Sequence, residues 1–141
     1  CAHAPMKAIG LDGKEYPWNV VKYTGKEACS SYHLRARNLL NKLYPYDIAY
    51  EEVVLPGIKT EISNRVLVAD FYIIRLKLMI EVQGEQHYKF VQFFHANKLE
   101  FFRAKRLDSL KKQWCELNSI TLVELPYNET NEEWAVRIRD R

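Results

Sequence analysis

Apolar positions along the chain recur at two periods, and the alternation between them predicts an order of elements. From Lys26 to Leu43 the spacing is helical: Tyr32, Ala36, Leu39, Leu40 and Leu43 share a face, and Pro45 ends the element. The pattern then turns strand-like. Asp47 to Leu55 reads as a strand closed by Pro56-Gly57, Lys59 to Asn64 as a polar connection, and Arg65 to Ile74 as a second strand. After a short turn near Arg75, a third strand runs from Leu76 to Gln83. Because alternate strand residues share a face, Lys77, Met79, Glu81 and Gln83 point one way and Leu78, Ile80 and Val82 the other. Phe90 to Phe94 fits either a strand end or a helix. Asn97 to Leu117 is helical, with Leu107, Leu110, Trp114 and Leu117 on one stripe. Ser119 to Leu125 is a last strand, stopped by Pro126. Asn131 is the expected cap of a final helix that opens on Glu132 and Glu133 and closes on arginines, as the helix dipole favours. This order, helix, three strands, helix, strand, helix, describes an α/β fold with a mixed sheet and helices on its faces. Ahead of it, Leu11-Asp12-Gly13-Lys14 marks a tight turn within a small hairpin or an irregular lead-in.

Composition narrows the class. A chain of 141 residues, 48% hydrophobic and 28% charged, holds enough apolar material for one globular core. Residues 1–25 read as a lead-in or linker and 26–141 as the domain. The chain opens on Cys1 with no charged-then-apolar leader, so a piece of a longer or processed protein is expected. No run of eighteen apolar residues predicts a membrane span, and no membrane partner is expected. Cys1, Cys29 and Cys115 contain no CxxC pair, which argues against a disulfide framework or a structural zinc site and for a reducing, cytoplasmic setting. The net charge of +3 says little about partners, but its distribution says more. Between Lys98 and Lys112, Lys98, Arg103, Lys105, Arg106, Lys111 and Lys112 stand against only Glu100 and Asp108. Such a stripe is either a solvated helix face or the footprint of a phosphate-backbone partner.

The candidate chemistry lies on the second and third strands. Asp70 sits near the end of one apolar run, and Glu81 and Gln83 at the end of the next. Two carboxylates from neighbouring antiparallel strands can fix a divalent cation such as Mg²⁺, which accepts one or two carboxylates and keeps several waters. A structural ion pair would explain Asp70 alone; Glu81 and Gln83 beside it favour a ligand role. His87, just past the turn Gly84-Glu85-Gln86, is placed to act as a general base or to hold a metal-bound water. Asp108 either pairs with Lys105, Lys111 or Lys112 along its own helix, or orients His87 as a carboxylate partner. His33 and Arg37 share a helix face with Cys29 and border either the phosphate path or the active site. A Walker loop, a GxGxxG run, a nucleophile elbow and an HExxH motif are all missing from the sequence.

With these residues assembled, the chain resembles the PD-(D/E)xK nuclease superfamily over roughly Ser30 to Tyr127. The motif there is an Asp on one core strand and Glu-x-Lys on the next, and Asp70 with Glu81-Val82-Gln83 matches it except for glutamine in the lysine's place. More narrowly, Val54-Leu55-Pro56-Gly57, Ala69-Asp70-Phe71 and Gly84-Glu85-Gln86-His87 resemble, in order and spacing, the branch of very-short-patch repair endonucleases and EDxHD-type homing endonucleases of bacterial and phage origin. The resemblance implies a restriction-endonuclease-like α-β-β-β-α-β core. It also implies Mg²⁺ or Mn²⁺ as cofactor, with Asp70 and Glu81 as ligands and Gln83, His87 and Asp108 completing the catalytic set. Arg103, Lys105 and Lys111 would steady the backbone of double-stranded DNA. The activity implied is endonucleolytic cleavage, as a homodimer if the parent is a homing enzyme. A mismatch-type nickase and a non-catalytic nucleic-acid-binding module are the alternatives. The family's acid on the opening helix is replaced at its nearest place by His33, with Glu27 and Glu52 as the other candidates.

Overall fold

The computed structural model describes residues 6–20, 30–58, 66–84 and 98–141. Met6–Ile9 (β1) and Glu15–Trp18 (β2) form an antiparallel hairpin around the turn that Asp12 and Gly13 make, Gly13 taking a left-handed φ of 81°. Helix α1 (Ser31–Leu43) follows, begun by the Ser30 side chain, which accepts the His33 N–H at 3.1 Å. Strands β3 (Tyr50–Leu55), β4 (Leu67–Ile73) and β5 (Leu78–Gln83) pair antiparallel in sequence order. A parallel neighbour needs a long crossover, and the helix α2 (Lys98–Leu117) lies on that crossover before β6 (Thr121–Pro126), which lies parallel to β5. Helix α3 (Asn131–Arg139) closes the chain. The core is therefore a four-stranded mixed sheet, order β3-β4-β5-β6, flanked by helices.

Each sheet face has its own core. On one, the hairpin and α2 cover Tyr50, Val53, Leu55, Ala69, Tyr72 and Met79 with Ala8, Trp18, Trp114 and Cys115. Trp18 meets Trp114 edge-on at 5.1 Å between centroids, and their indole N–H groups donate to the Val54 and Pro56 carbonyls. Asn118 pins the hairpin by bonding both the N–H and the carbonyl of Ile9. On the other face, α1 and α3 bury Ala36, Leu39, Leu40, Trp134 and Ile138 against Phe71, Ile73, Leu78, Ile80, Val123 and Leu125. Each such large side chain contributes about 1.5–3 kcal/mol.

Two expectations need correction. The final helix is capped by Thr130, not Asn131: Thr130 Oγ1 accepts the Glu133 N–H and the Glu133 carboxylate accepts the Thr130 N–H, a reciprocal box that leaves Asn131 as the first helical residue. Leu117 is 45% exposed at the end of α2, and the buried edge of that helix runs instead through Leu110, Trp114 and Cys115.

The sheet departs from regular alternation at one place. Tyr50 and Val53 both face the hairpin side, as do Ala69 and Tyr72, which an unbroken strand forbids. Glu52 has a left-handed φ of 51°, and the β3–β4 ladder steps over it, pairing Glu51 with Phe71 and Val53 with Ala69. Both strands change face together there, and Asp70 sits opposite the break.

Candidate active site

Beyond the break, β4 and β5 part. Their ladder runs from Ile73↔Leu78 to Phe71↔Ile80. At the next position the Asp70 side chain takes over the backbone's role: its Oδ2 accepts the Val82 N–H at 2.8 Å. This leaves Oδ1 turned towards α1, where His33 Nδ1 stands 3.9 Å away. The strand geometry thus presents a carboxylate in the opening between two strands.

Glu81 lies on the neighbouring strand and faces α2, as the alternation predicts. Lys111 reaches down from α2, its Nζ 2.7 Å from Glu81 Oε1 and 2.8 Å from the Val68 carbonyl. Burial pushes the Glu81 carboxyl up to about 8, the nearby Asp70 charge adds to the rise, and Lys111 opposes it. The Lys111 side chain is only 17% exposed and turns inward to the carboxylates. Position 111 flanks the apolar stripe one turn before Cys115, at the edge of the helix face that meets the sheet.

Gln83 is buried and its amide donates to Glu124 on β6, which also pairs with Lys112 at 3.0 Å. A small polar cavity of about 60 Å³ joins these groups, with Glu81, Gln83, Asp108, Lys111 and Glu124 in its wall. Asp108 therefore lines the same cavity as Glu81; of the three lysines near it on the helix, Lys111 and Lys112 reach strand carboxylates. Arg103 is half-buried and Lys105 exposed on the same helix. His87 lies outside the described residues. A larger groove of about 740 Å³ runs between α1 and α3, bordered by Leu34, Leu39 and Val136, and does not include these carboxylates.

A second polar cluster backs Asp70 from α1. Glu51, 2% exposed, accepts from Arg37 Nε and Nη2 at 2.9 Å each and bonds His33 Nε2 at 2.6 Å. The His33 ring stacks on Phe71 at 4.4 Å. Of the two strand acids, Glu51 rather than Glu52 turns towards the opening helix. The Tyr50-Glu51-Glu52-Val53 run contains both, and only the left-handed Glu52 decides between them. The series Arg37, Glu51, His33, Asp70, Glu81, Lys111 is thus nearly continuous across the sheet, with a cation at each end and the two acids Asp70 and Glu81 side by side near one of them.

Among the described residues, no group of three His, Cys, Asp or Glu side chains encloses a metal by itself. A cation at Asp70 and Glu81 would complete its shell with water, backbone carbonyl or a bound phosphate, which is the habit of Mg²⁺. The donor set fits. Among the same residues no helix is long and apolar enough to cross a membrane.

Fold and site together define an α/β protein with two neighbouring strand carboxylates and a half-buried lysine at a split between strands. Neither a protein-family profile nor a solved structure matches the chain. Three viral proteins are similar in sequence. Uncharacterized protein 307L of Invertebrate iridescent virus 6 is 46% identical over 65 residues, 46% of this chain and 33% of its own length. Uncharacterized protein 033L of Invertebrate iridescent virus 3 is 34% identical over 70 residues, 50% of this chain and 36% of its own. Uncharacterized protein 094L of Frog virus 3 (isolate Goorha) is 34% identical over 89 residues, 62% of this chain and 57% of its own. The chain thus matches between a third and somewhat more than half the length of these relatives.

Proposed function

We propose that the chain is the catalytic domain of a metal-dependent DNA endonuclease of the PD-(D/E)xK type. The observation that carries this reading is the Asp70 carboxylate standing where β4 and β5 part, with Glu81 on the adjoining strand and Lys111 Nζ bonded to it. The α-β-β-β-α-β order of the core supports it. Asp70 and Glu81 would hold Mg²⁺ or Mn²⁺, which when bound would supply Lewis-acid polarisation of the scissile phosphate and a place for the attacking water. Lys111 supplies the fixed positive charge that glutamine at position 83 cannot, beside the carboxylates, where negative charge develops on the phosphate. Gln83 is a neutral donor, held in orientation by Glu124. His87 positions or deprotonates the attacking water, and Asp108 orients His87. Arg103 and Lys105, on the same helix, steady the phosphate backbone of double-stranded DNA.

One such site cuts one strand, so a double-strand break of the homing type requires a homodimer of the parent protein, and a monomer would nick as a repair enzyme does. The test is conversion of supercoiled plasmid by the purified chain in Mg²⁺ or Mn²⁺ and in EDTA, beside Asp70→Ala, His87→Ala and Lys111→Met. Metal-dependent nicking or linearisation, lost in all three variants, is expected. Plasmid binding without cleavage by any of the four proteins would point instead to a non-catalytic nucleic-acid-binding module.

A further inference from the structure

We propose that His33 contributes a nitrogen ligand, Nδ1, to the cation at Asp70, so that the site favours a first-row transition metal over Mg²⁺. The inference rests on the metal site proposed above and specifies which class of ion it takes.

Glu51 fixes which His33 nitrogen donates. Two Arg37 nitrogens at 2.9 Å hold its carboxylate, and an ionised carboxylate only accepts hydrogen bonds. His33 Nε2, 2.6 Å from Oε1, must therefore be the donor. In a neutral imidazole one ring nitrogen donates and the other carries a lone pair, so Nδ1 is the free donor atom towards a metal. It points to Asp70 Oδ1 across 3.9 Å, too far for a hydrogen bond, and this is the carboxylate oxygen that does not accept the Val82 N–H. Two metal–ligand bonds of about 2.1 Å span up to about 4.2 Å, so one ion can bridge the pair.

The surroundings fit a ligand more than a filler. His33 is 9% exposed, and its ring plane is fixed by the Phe71 stack on one side and the Glu51 bond on its edge. Metal-ligating histidines commonly donate their second N–H to a carboxylate that fixes tautomer and orientation. Glu51, locked in turn by Arg37, is such a carboxylate. Imidazole in the shell favours transition ions, whereas Mg²⁺ prefers oxygen ligands throughout.

The test is electron spin-echo envelope modulation of the Mn²⁺-loaded chain, with Mn²⁺ and Mg²⁺ affinities measured by titration. Nitrogen-14 modulation of an imidazole ligand is expected in the wild type and in His87→Ala. It should disappear in His33→Gln, which keeps an N–H donor near Glu51, together with a loss of about tenfold or more in Mn²⁺ affinity. Should His33→Gln fail to fold, as judged by circular dichroism, selective broadening of the His33 ring nitrogens by Mn²⁺ in the NMR spectrum of the wild type provides the same assignment. An oxygen-only signal, a modulation that survives His33→Gln and vanishes in His87→Ala, or no bound Mn²⁺ overturns the proposal. A chain that binds Mn²⁺ through His33 yet cleaves no DNA refutes the nuclease reading and leaves this one standing. A metal-dependent nuclease without nitrogen coupling does the reverse.

Discussion

Replacing Glu51 by glutamine removes the one negative charge between Arg37 and His33 while keeping the side chain's shape. Three contacts change at once, at 2.6, 2.9 and 2.9 Å, around a group only 2% exposed. The amide retains a single acceptor and adds a donor, so Arg37 is left facing an N–H in either orientation, and His33 with it when the nitrogen takes the place of Oε1. Breaking a buried pair by removing one partner costs about 3–5 kcal/mol. The Arg37 side chain keeps 17% of its exposure and so some hydration, which places Glu51→Gln at the lower end, about 3 kcal/mol. In urea, with a slope of about 1.5–2 kcal/mol/M for a domain this size, the midpoint falls by roughly 1.5–2 M. The exposed Glu116→Gln serves as control and shifts stability by less than about 0.5 kcal/mol. Combining Glu51→Leu with Arg37→Met removes both charges and recovers most of the loss, because desolvation and attraction then vanish together. A loss below about 1 kcal/mol for Glu51→Gln, with an unchanged slope, would refute the view of this cluster as a tightly coupled buried network.

Other perturbations follow from the same structure. The Glu81 carboxyl is raised from its ordinary 4.5 to about 8, so the folded chain keeps a proton that the unfolded chain has released; its stabilising contribution is complete below about pH 4.5 and is lost as pH rises towards 8. Glu81→Gln should flatten that decline in metal-free urea titrations, and an identical pH profile would contradict the assignment. The Cys115 thiol is pushed up to about 12, by burial first and by the Glu81 charge second, so it should resist iodoacetamide at pH 8 in the native chain and label fully in urea. Peptide mass spectrometry reads this, and rapid native labelling would show that the α2 face is open. Gly57 has a φ of 79°, and a Cβ there would stand 2.4 Å from the Gly10 backbone. Gly57→Ala should therefore cost more than the roughly 1–2 kcal/mol of a left-handed alanine and lower the melting temperature, whereas an unchanged melt would mean that hairpin and sheet are not in contact.

Much of the element order was legible because burial enforces periodicity. On β5, Met79 falls on one face and Leu78 and Ile80 on the other, as alternation predicts, since the strand is regular and covered on both sides. The same reasoning fails on β3 and β4, where the face changes at Glu52 and Asp70. A glutamate carries no sequence signal for a left-handed φ, which is why Glu51 was less visible as the buried acid than Glu52. Thr130-x-x-Glu133 was readable as a cap box and is a stronger signal than Asn131. Asp70 and Glu81 stood out as acids at the ends of apolar runs. The inward turn of Lys111 was harder to read, because a lysine beside an apolar stripe more often snorkels outward, and only the carboxylate across the helix–sheet gap reverses that.

The most direct test of the account is single-turnover cleavage of an end-labelled DNA duplex by wild type, Asp70→Asn and Lys111→Met, with product ends identified. The account predicts Mn²⁺- or Mg²⁺-dependent hydrolysis leaving one phosphate and one hydroxyl terminus, slowed at least about 10²-fold in either variant. Hydrolysis that persists in EDTA, or proceeds at the wild-type rate in both variants, would contradict a reaction centred on the opening between β4 and β5.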